Sequence, residues 1–156
     1  MKGFDFEEER IKQEIARLGA KRVLLHLPEG LKPEGTRLAR IVEKTGALPV
    51  ISADPCYGAC DLATAEAERL GVDLIVHFGH AKMVKYENVP TVYVEARATV
   101  AVDEAVEQAK PLLDKWGRIG LATTVQHVQA LDRAREILVL AGKIVVIGDA
   151  GRINYA

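Results

Sequence analysis

Six short apolar runs recur along this chain, each separated from the next by a polar or helical-period segment, and that alternation restricts the fold more than any other feature. The runs cover residues 21–27 (KRVLLHL), 49–52, 74–78 (LIVHF), 91–95 (TVYVE), 118–123 and 143–148. Runs that are apolar almost throughout predict strands covered on both faces, not strands with one wet side. Segments with helical spacing lie between most of them. Ile11, Ile15 and Leu18 share one helical face ending at Gly19, and Leu38, Ile41 and Val42 share another ending before Gly46. An Ala- and Glu-rich helix is expected over 62–70, another over 103–116 (Ala105, Ala109, Leu112 and Trp116 on one side, Pro111 kinking or splitting it), and a third over 126–141 with Val128, Leu131 and Leu138 inward. Asp5 with Glu8 three positions on resembles a capping box. Strands and helices in this order define an α/β chain whose parallel sheet is flanked by helices. The link between the third and fourth strands, residues 81–90, is too short for a full helix.

Two domain readings follow. Residues 1–101 hold about four strands and make one complete α/β domain. Residues 102–156 then open a second, similar domain with a β-α-β unit and stop. One continuous six-stranded sheet is the alternative from periodicity alone.

Composition excludes several classes. Charges nearly balance, 21 Lys and Arg against 22 Asp and Glu, for a net charge of −1, so there is no electrostatic case for a nucleic-acid or membrane-surface binder. No apolar run approaches the roughly 18 residues a membrane helix needs, and residues 4–9 are acidic, unlike a signal peptide. A cytoplasmic protein is expected. There, two cysteines four positions apart suit metal or redox chemistry better than a structural disulfide.

Both cysteines lie in Asp54-Pro55-Cys56-Tyr57-Gly58-Ala59-Cys60-Asp61, between the second strand and the next helix. A thiol on such a turn faces solvent and a helix N-terminus, which favours the thiolate that metals and iron–sulfur clusters bind. Gly58 offers backbone freedom there. Ligands of open parallel sheets bind beyond the carboxyl ends of the strands. In this chain those positions carry Pro28-Glu29-Gly30, the cysteine turn, Gly79-His80, Glu95 and Arg97, residues 123–127 and residues 149–152. His26 and His77, inside apolar runs, are expected as hydrogen-bonded core residues. His80 lies on a loop, and Gln126 and His127 also fit a helix start capped by Thr124. Both cysteines are equally compatible with packing as small apolar groups. The sequence contains no G-x-G-x-x-G, Walker loop or nucleophile elbow.

Taken together, Pro28-Glu29-Gly30, Tyr57-Gly58-Ala59-Cys60-Asp61, His77-Phe78-Gly79-His80, residues 89–94 (VPTVYV) and Thr123-Thr124-Val125-Gln126-His127 resemble the archaeal diphthamide-synthesis radical enzymes, 2-(3-amino-3-carboxypropyl)histidine synthase, in order and spacing over nearly all of the chain. The resemblance implies an enzyme that cleaves S-adenosylmethionine at a 4Fe–4S cluster held by three cysteines from three similar α/β domains. It then transfers the 3-amino-3-carboxypropyl group to C2 of a histidine of translation elongation factor 2. It further implies a homodimer, reduced by a donor that the motifs do not name. Cys60 matches the first cluster ligand, and Cys56 falls outside the matched core. The C-x-x-x-C-x-x-C of common radical enzymes is absent, because Ala63 stands where its third cysteine would be. Gly79, His80, Gln126 and His127 are the expected cofactor-binding residues. With one ligand of three, the chain is expected to be an N-terminal fragment, inactive alone. A non-catalytic α/β small-molecule-binding domain and a thiol-redox protein using Cys56 and Cys60 are the competing readings.

Overall fold

In a computed structural model, the chain is described over residues 3–148 except 84 and 86. Its contacts divide it into two compact units, Met1–Ala96 and Arg97–Ala156.

In the first unit, four parallel strands form one sheet: β1 (Arg22–His26), β2 (Leu48–Ile51), β3 (Leu74–Phe78) and β4 (Thr91–Val94), in spatial order β2-β1-β3-β4. β3 is buried at every position, as its unbroken apolar run requires of a strand covered on both faces. Alternate residues feed two separate clusters. Val23, Leu25, Val76 and Phe78 pack with Ile11, Ile15, Leu38 and Val42, the inward residues of helices α1 (Glu8–Leu18) and α2 (Gly35–Glu43). Leu24 and Ile75 pack on the other face with Ala67 of α3 (Thr64–Leu70). Glycines at the ends of α1 and α3 take the left-handed conformation that closes a helix, Gly19 at φ 62° and Gly71 at φ 58°. At the start of β1, the Asp73 carboxylate accepts the backbone N–H of both Lys21 and Arg22, at 2.8 and 2.9 Å. These charge-assisted bonds hold its pKa below the usual carboxylate range.

The second unit contains β5 (Arg118–Leu121) and β6 (Ile144–Ile147), paired in parallel and joined through α5 (Leu131–Leu140). The expected helix over 103–116 is split: α4 (Asp103–Ala109) passes into a 3₁₀ turn, Lys110–Leu113, where Pro111 removes a backbone donor. The helix expected from 126 begins as a 3₁₀ turn, Val125–Ala130, and becomes α-helical only at Leu131. Leu138 is buried as expected, whereas Leu112 and Trp116 are exposed. Strands β1–β4 and strands β5 and β6 thus form separate four- and two-stranded parallel sheets.

Two local expectations fail. No side chain caps α1: the Asp5 carboxylate instead accepts the N–H of Glu7, which sits at φ 49°. Gly58 is not among the residues with positive φ, so the turn does not draw on that freedom. Among the described residues, no helix is long and apolar enough to cross a membrane.

Candidate functional site

The strand order β2-β1-β3-β4 places the reversal of winding between β1 and β3, the position where open α/β sheets leave a crevice at their carboxyl edge. Three segments of the first unit gather there. After β1, Pro28 leads into a 3₁₀ turn, Glu29–Glu34, whose Lys32 donates to the backbone oxygens of Ala53 and Asp54 at 2.8 and 3.1 Å. That bond pair ties the Pro28-Glu29-Gly30 turn to the cysteine turn after β2.

The cysteine turn closes on itself. Asp61 N–H donates to the Gly58 oxygen at 3.0 Å, and the Asp61 carboxylate accepts Tyr57 N–H at 3.0 Å. The two thiols it carries differ sharply. Cys60 is exposed. Cys56 is only 3% exposed, and desolvation pushes its thiol up to about 11. A group whose thiolate is that costly makes a poor redox partner. The exposed Cys60 sulfur has the chemistry and access of a cluster ligand.

After β3 comes Gly79, at φ 81°, where an added Cβ would stand 3.0 Å from Pro28 Cγ. Only glycine satisfies both the turn and the close approach. Its N–H donates to the Val94 oxygen at 2.7 Å, joining this turn to the end of β4. His80 follows, half-buried.

The register places His26 directly beside His77. As expected, both are buried and hydrogen-bonded, but their partners are one another. His26 Nδ1 lies 2.9 Å from His77 Nδ1, and His77 Nε2 lies 3.2 Å from His80 Nδ1. Burial lowers the pKa of all three imidazoles, that of His77 to about 3, with His26 and His80 adding to the effect. The Tyr93 ring packs edge-on against His77 at 5.5 Å. The ligating atoms of His26, Cys56 and His77 lie within 4.8 Å of one another. Two imidazole nitrogens on a tetrahedral ion are roughly 3.3 Å apart, given metal–nitrogen bonds of about 2.0 Å. The 2.9 Å contact is therefore the distance of a hydrogen bond. Sequence reasoning found each histidine but not the row, because it depends on pairing positions 51 residues apart.

Gln126 and His127 belong to the second unit, on the 3₁₀ turn after β5. Thr124 precedes it in an extended conformation with no side-chain cap bond, and His127 N–H donates to the Thr124 oxygen at 3.0 Å. His127, with Thr123, borders a largely apolar cavity of about 450 Å³ lined by Val102, Val106, Leu113 and Leu138 among others. Cys60, Gly79 and His80 thus share one sheet edge of the first unit, while His127 borders a cavity of the second and Gln126 precedes it on the same 3₁₀ turn. The residues named after the sixth strand, 149–152, lie outside the described residues.

A parallel sheet wound in both directions from a crevice, with helices on both faces and an exposed cysteine on one of its edge turns, defines an open α/β protein. The comparisons with known proteins narrow that class. The family model of the diphthamide synthesis protein matches residues 27–156, and the chain belongs to that family. It is 39% identical over 145 residues to the 2-(3-amino-3-carboxypropyl)histidine synthase of Pyrococcus horikoshii, covering 92% of this chain and 42% of that protein. It is 31% identical to subunit 1 of the synthase from Encephalitozoon cuniculi, covering 88% of this chain and 39% of that one. Among solved structures, Dph2 from Pyrococcus horikoshii with a 4Fe–4S cluster superposes with a TM-score of 0.88 at 37% identity, over 98% of this chain and 46% of that one. The chain therefore spans about two fifths of the length of these curated relatives.

Proposed function

We propose that this chain is part of a 2-(3-amino-3-carboxypropyl)histidine synthase, which transfers the 3-amino-3-carboxypropyl group of S-adenosylmethionine to C2 of a histidine of translation elongation factor 2 and acts in the cytoplasm as a homodimer. Residues 1–101 are its first domain and 102–156 the opening of its second. Cys60 is one cluster ligand, and further cysteines of the whole protein supply the others. Gly79, His80, Gln126 and His127 hold the S-adenosylmethionine. The observation that carries this reading is the exposed Cys60 thiol at the carboxyl edge of a sheet, in a chain whose relatives bear the synthase name and one of whose structural neighbours contains the cluster.

When bound, a reduced 4Fe–4S cluster supplies the electron that splits the sulfonium, releasing methylthioadenosine. The residues of this chain bind and orient. Cys60 offers its thiolate from a turn braced by Asp61 and Lys32. Gly79 keeps the crevice floor free of a side chain, and His80 presents a neutral imidazole to the ligand. Placement of the sulfonium then decides which C–S bond breaks.

Anaerobic reconstitution of the full-length protein with iron and sulfide tests the assignment. Broad visible absorbance should be lost in Cys60→Ala and kept in Cys56→Ala. Equal sensitivity to both substitutions would point to a thiol pair, and a colourless wild-type protein would point to a non-catalytic binding domain.

A further inference from the structure

The row of three histidines at the winding reversal has a property that follows from counting protons. His77 is 0% exposed and neutral, so it carries a single N–H. Both of its ring nitrogens nonetheless face an imidazole, Nδ1 toward His26 at 2.9 Å and Nε2 toward His80 at 3.2 Å. Only two arrangements of neutral rings satisfy these contacts. In the first, His80 Nδ1–H donates to His77 and His77 Nδ1–H donates to His26, so His80 Nε2 is a bare acceptor and His26 holds its proton on Nε2. In the second, His26 Nδ1–H donates to His77 and His77 Nε2–H donates to His80. His80 is then protonated on Nε2, and His26 Nε2 is bare. The three tautomers change together. Passing from the first to the second takes one proton in at His80 Nε2 and lets one out at His26 Nε2.

We propose that His80, His77 and His26 form a proton relay from the crevice to the buried side of β1, an inference that rests on the transferase reading above. The product named for the relatives is a histidine substituted at C2. To make it, one C–S bond and one C–H bond break, one C–C bond forms and one proton leaves, so the exchange is redox-neutral overall and calls for a base. His80 Nε2 accepts that proton. Its Nδ1 proton moves to His77 Nε2, the His77 Nδ1 proton moves to His26 Nδ1, and His26 releases its Nε2 proton to Glu66. Glu66 and Asp61 are the carboxylates acting on His26, opposed by the Lys32 ammonium and by His80. Glu66 also accepts the Ser52 hydroxyl at 2.6 Å. The buried Cys56 thiol and the Tyr93 ring complete the surroundings. A core merely filled by histidines would need no third imidazole at the loop. This row ends at a half-buried His80, which also hydrogen-bonds the backbone oxygen of Phe78.

The test uses the full-length, reconstituted protein with His77→Gln and His26→Gln, since a glutamine amide keeps a hydrogen bond but does not hand a proton from one side to the other. The ratio of transferred group to methylthioadenosine should fall about a hundredfold, the low end of general-base contributions. With substrate deuterated at histidine C2, an isotope effect near unity in the wild type should rise to about 2 or above in the variants. Without cluster or substrate, ¹⁵N-histidine spectra should show His80 changing its Nδ1/Nε2 pattern in His26→Gln, two residues along the row. An unchanged pattern, or a transfer ratio and isotope effect equal to wild type, overturns the relay. So does one equivalent of zinc in the purified protein that is lost in Cys56→Ala, which would make the buried cluster a metal site. Absence of methylthioadenosine from the wild-type reaction sinks the transferase reading instead, and the ¹⁵N pattern still decides whether the rings share their tautomers.

Discussion

The two units are built from the same kind of apolar strand, yet they treat it differently. β3 in the first unit reads Leu-Ile-Val-His-Phe and is buried at all five positions. β6 in the second reads Ile-Val-Val-Ile, at least as apolar, yet Ile144 is 60% exposed and Val146 56%. The difference lies in neighbours. β3 has a strand on each side and helices on both faces, whereas among the described residues β6 pairs only with β5 and takes its cover from α5. An apolar run states what a strand tolerates, and the surrounding elements decide how much burial it receives.

Truncating one side chain in each unit should expose that contrast most strongly. Leu25→Ala removes a fully buried side chain and should cost about 2–5 kcal/mol in urea unfolding. Ile144→Ala should cost under about 1 kcal/mol, because most of that side chain is already wet. Equal losses would mean that β6 is covered in solution by something outside these units.

Acid should discriminate next. Burial depresses the folded pKa of His26, His77 and His80 below the ordinary value of 6.5, so the unfolded chain binds protons that the folded one refuses. Stability is then full above pH 6.5 and is lost as pH falls through the window down to about 3 set by His77. The slope is at most about 1.4 kcal/mol per pH unit for each such group. Urea midpoints measured from pH 7 to pH 4 should fall in the wild type, and His77→Gln should flatten the slope. A pH-independent midpoint would contradict the buried neutral row.

The smallest contrast is between two glycines. Gly79→Ala meets both a left-handed backbone and the Pro28 ring and should cost about 1–2 kcal/mol. Gly120, on β5, has open space where a Cβ would stand and no positive φ. Gly120→Ala should be neutral or slightly stabilising by thermal melting, since it reduces unfolded-chain freedom.

What could be read in advance divides along the same line. Strand identity was legible because residues 74–78 and 21–27 are apolar whichever face they present, and helix ends were legible where Gly19 must turn left-handed. The first turn of the helix after β5 was not. Gln126 and His127 fit an α-helical period, but the chain tightens to 3₁₀ until Leu131. The capping box was misread because Asp5 reaches the N–H of Glu7, a local choice that residue spacing does not encode. At the site, the solvent-facing cysteine turn followed from its position between strand and helix. The sealed state of Cys56 and the linked histidines did not, because both arise from which strands become neighbours.

Lys32 carries a last consequence. With one ammonium on two carbonyls of the opposite loop, the rim of the crevice is shaped before anything enters it. The entropy of ordering that rim falls on folding, not on ligand capture, so a guest meets a prearranged mouth. Loosening it should show as weaker capture, because the ordering cost then falls on the binding step.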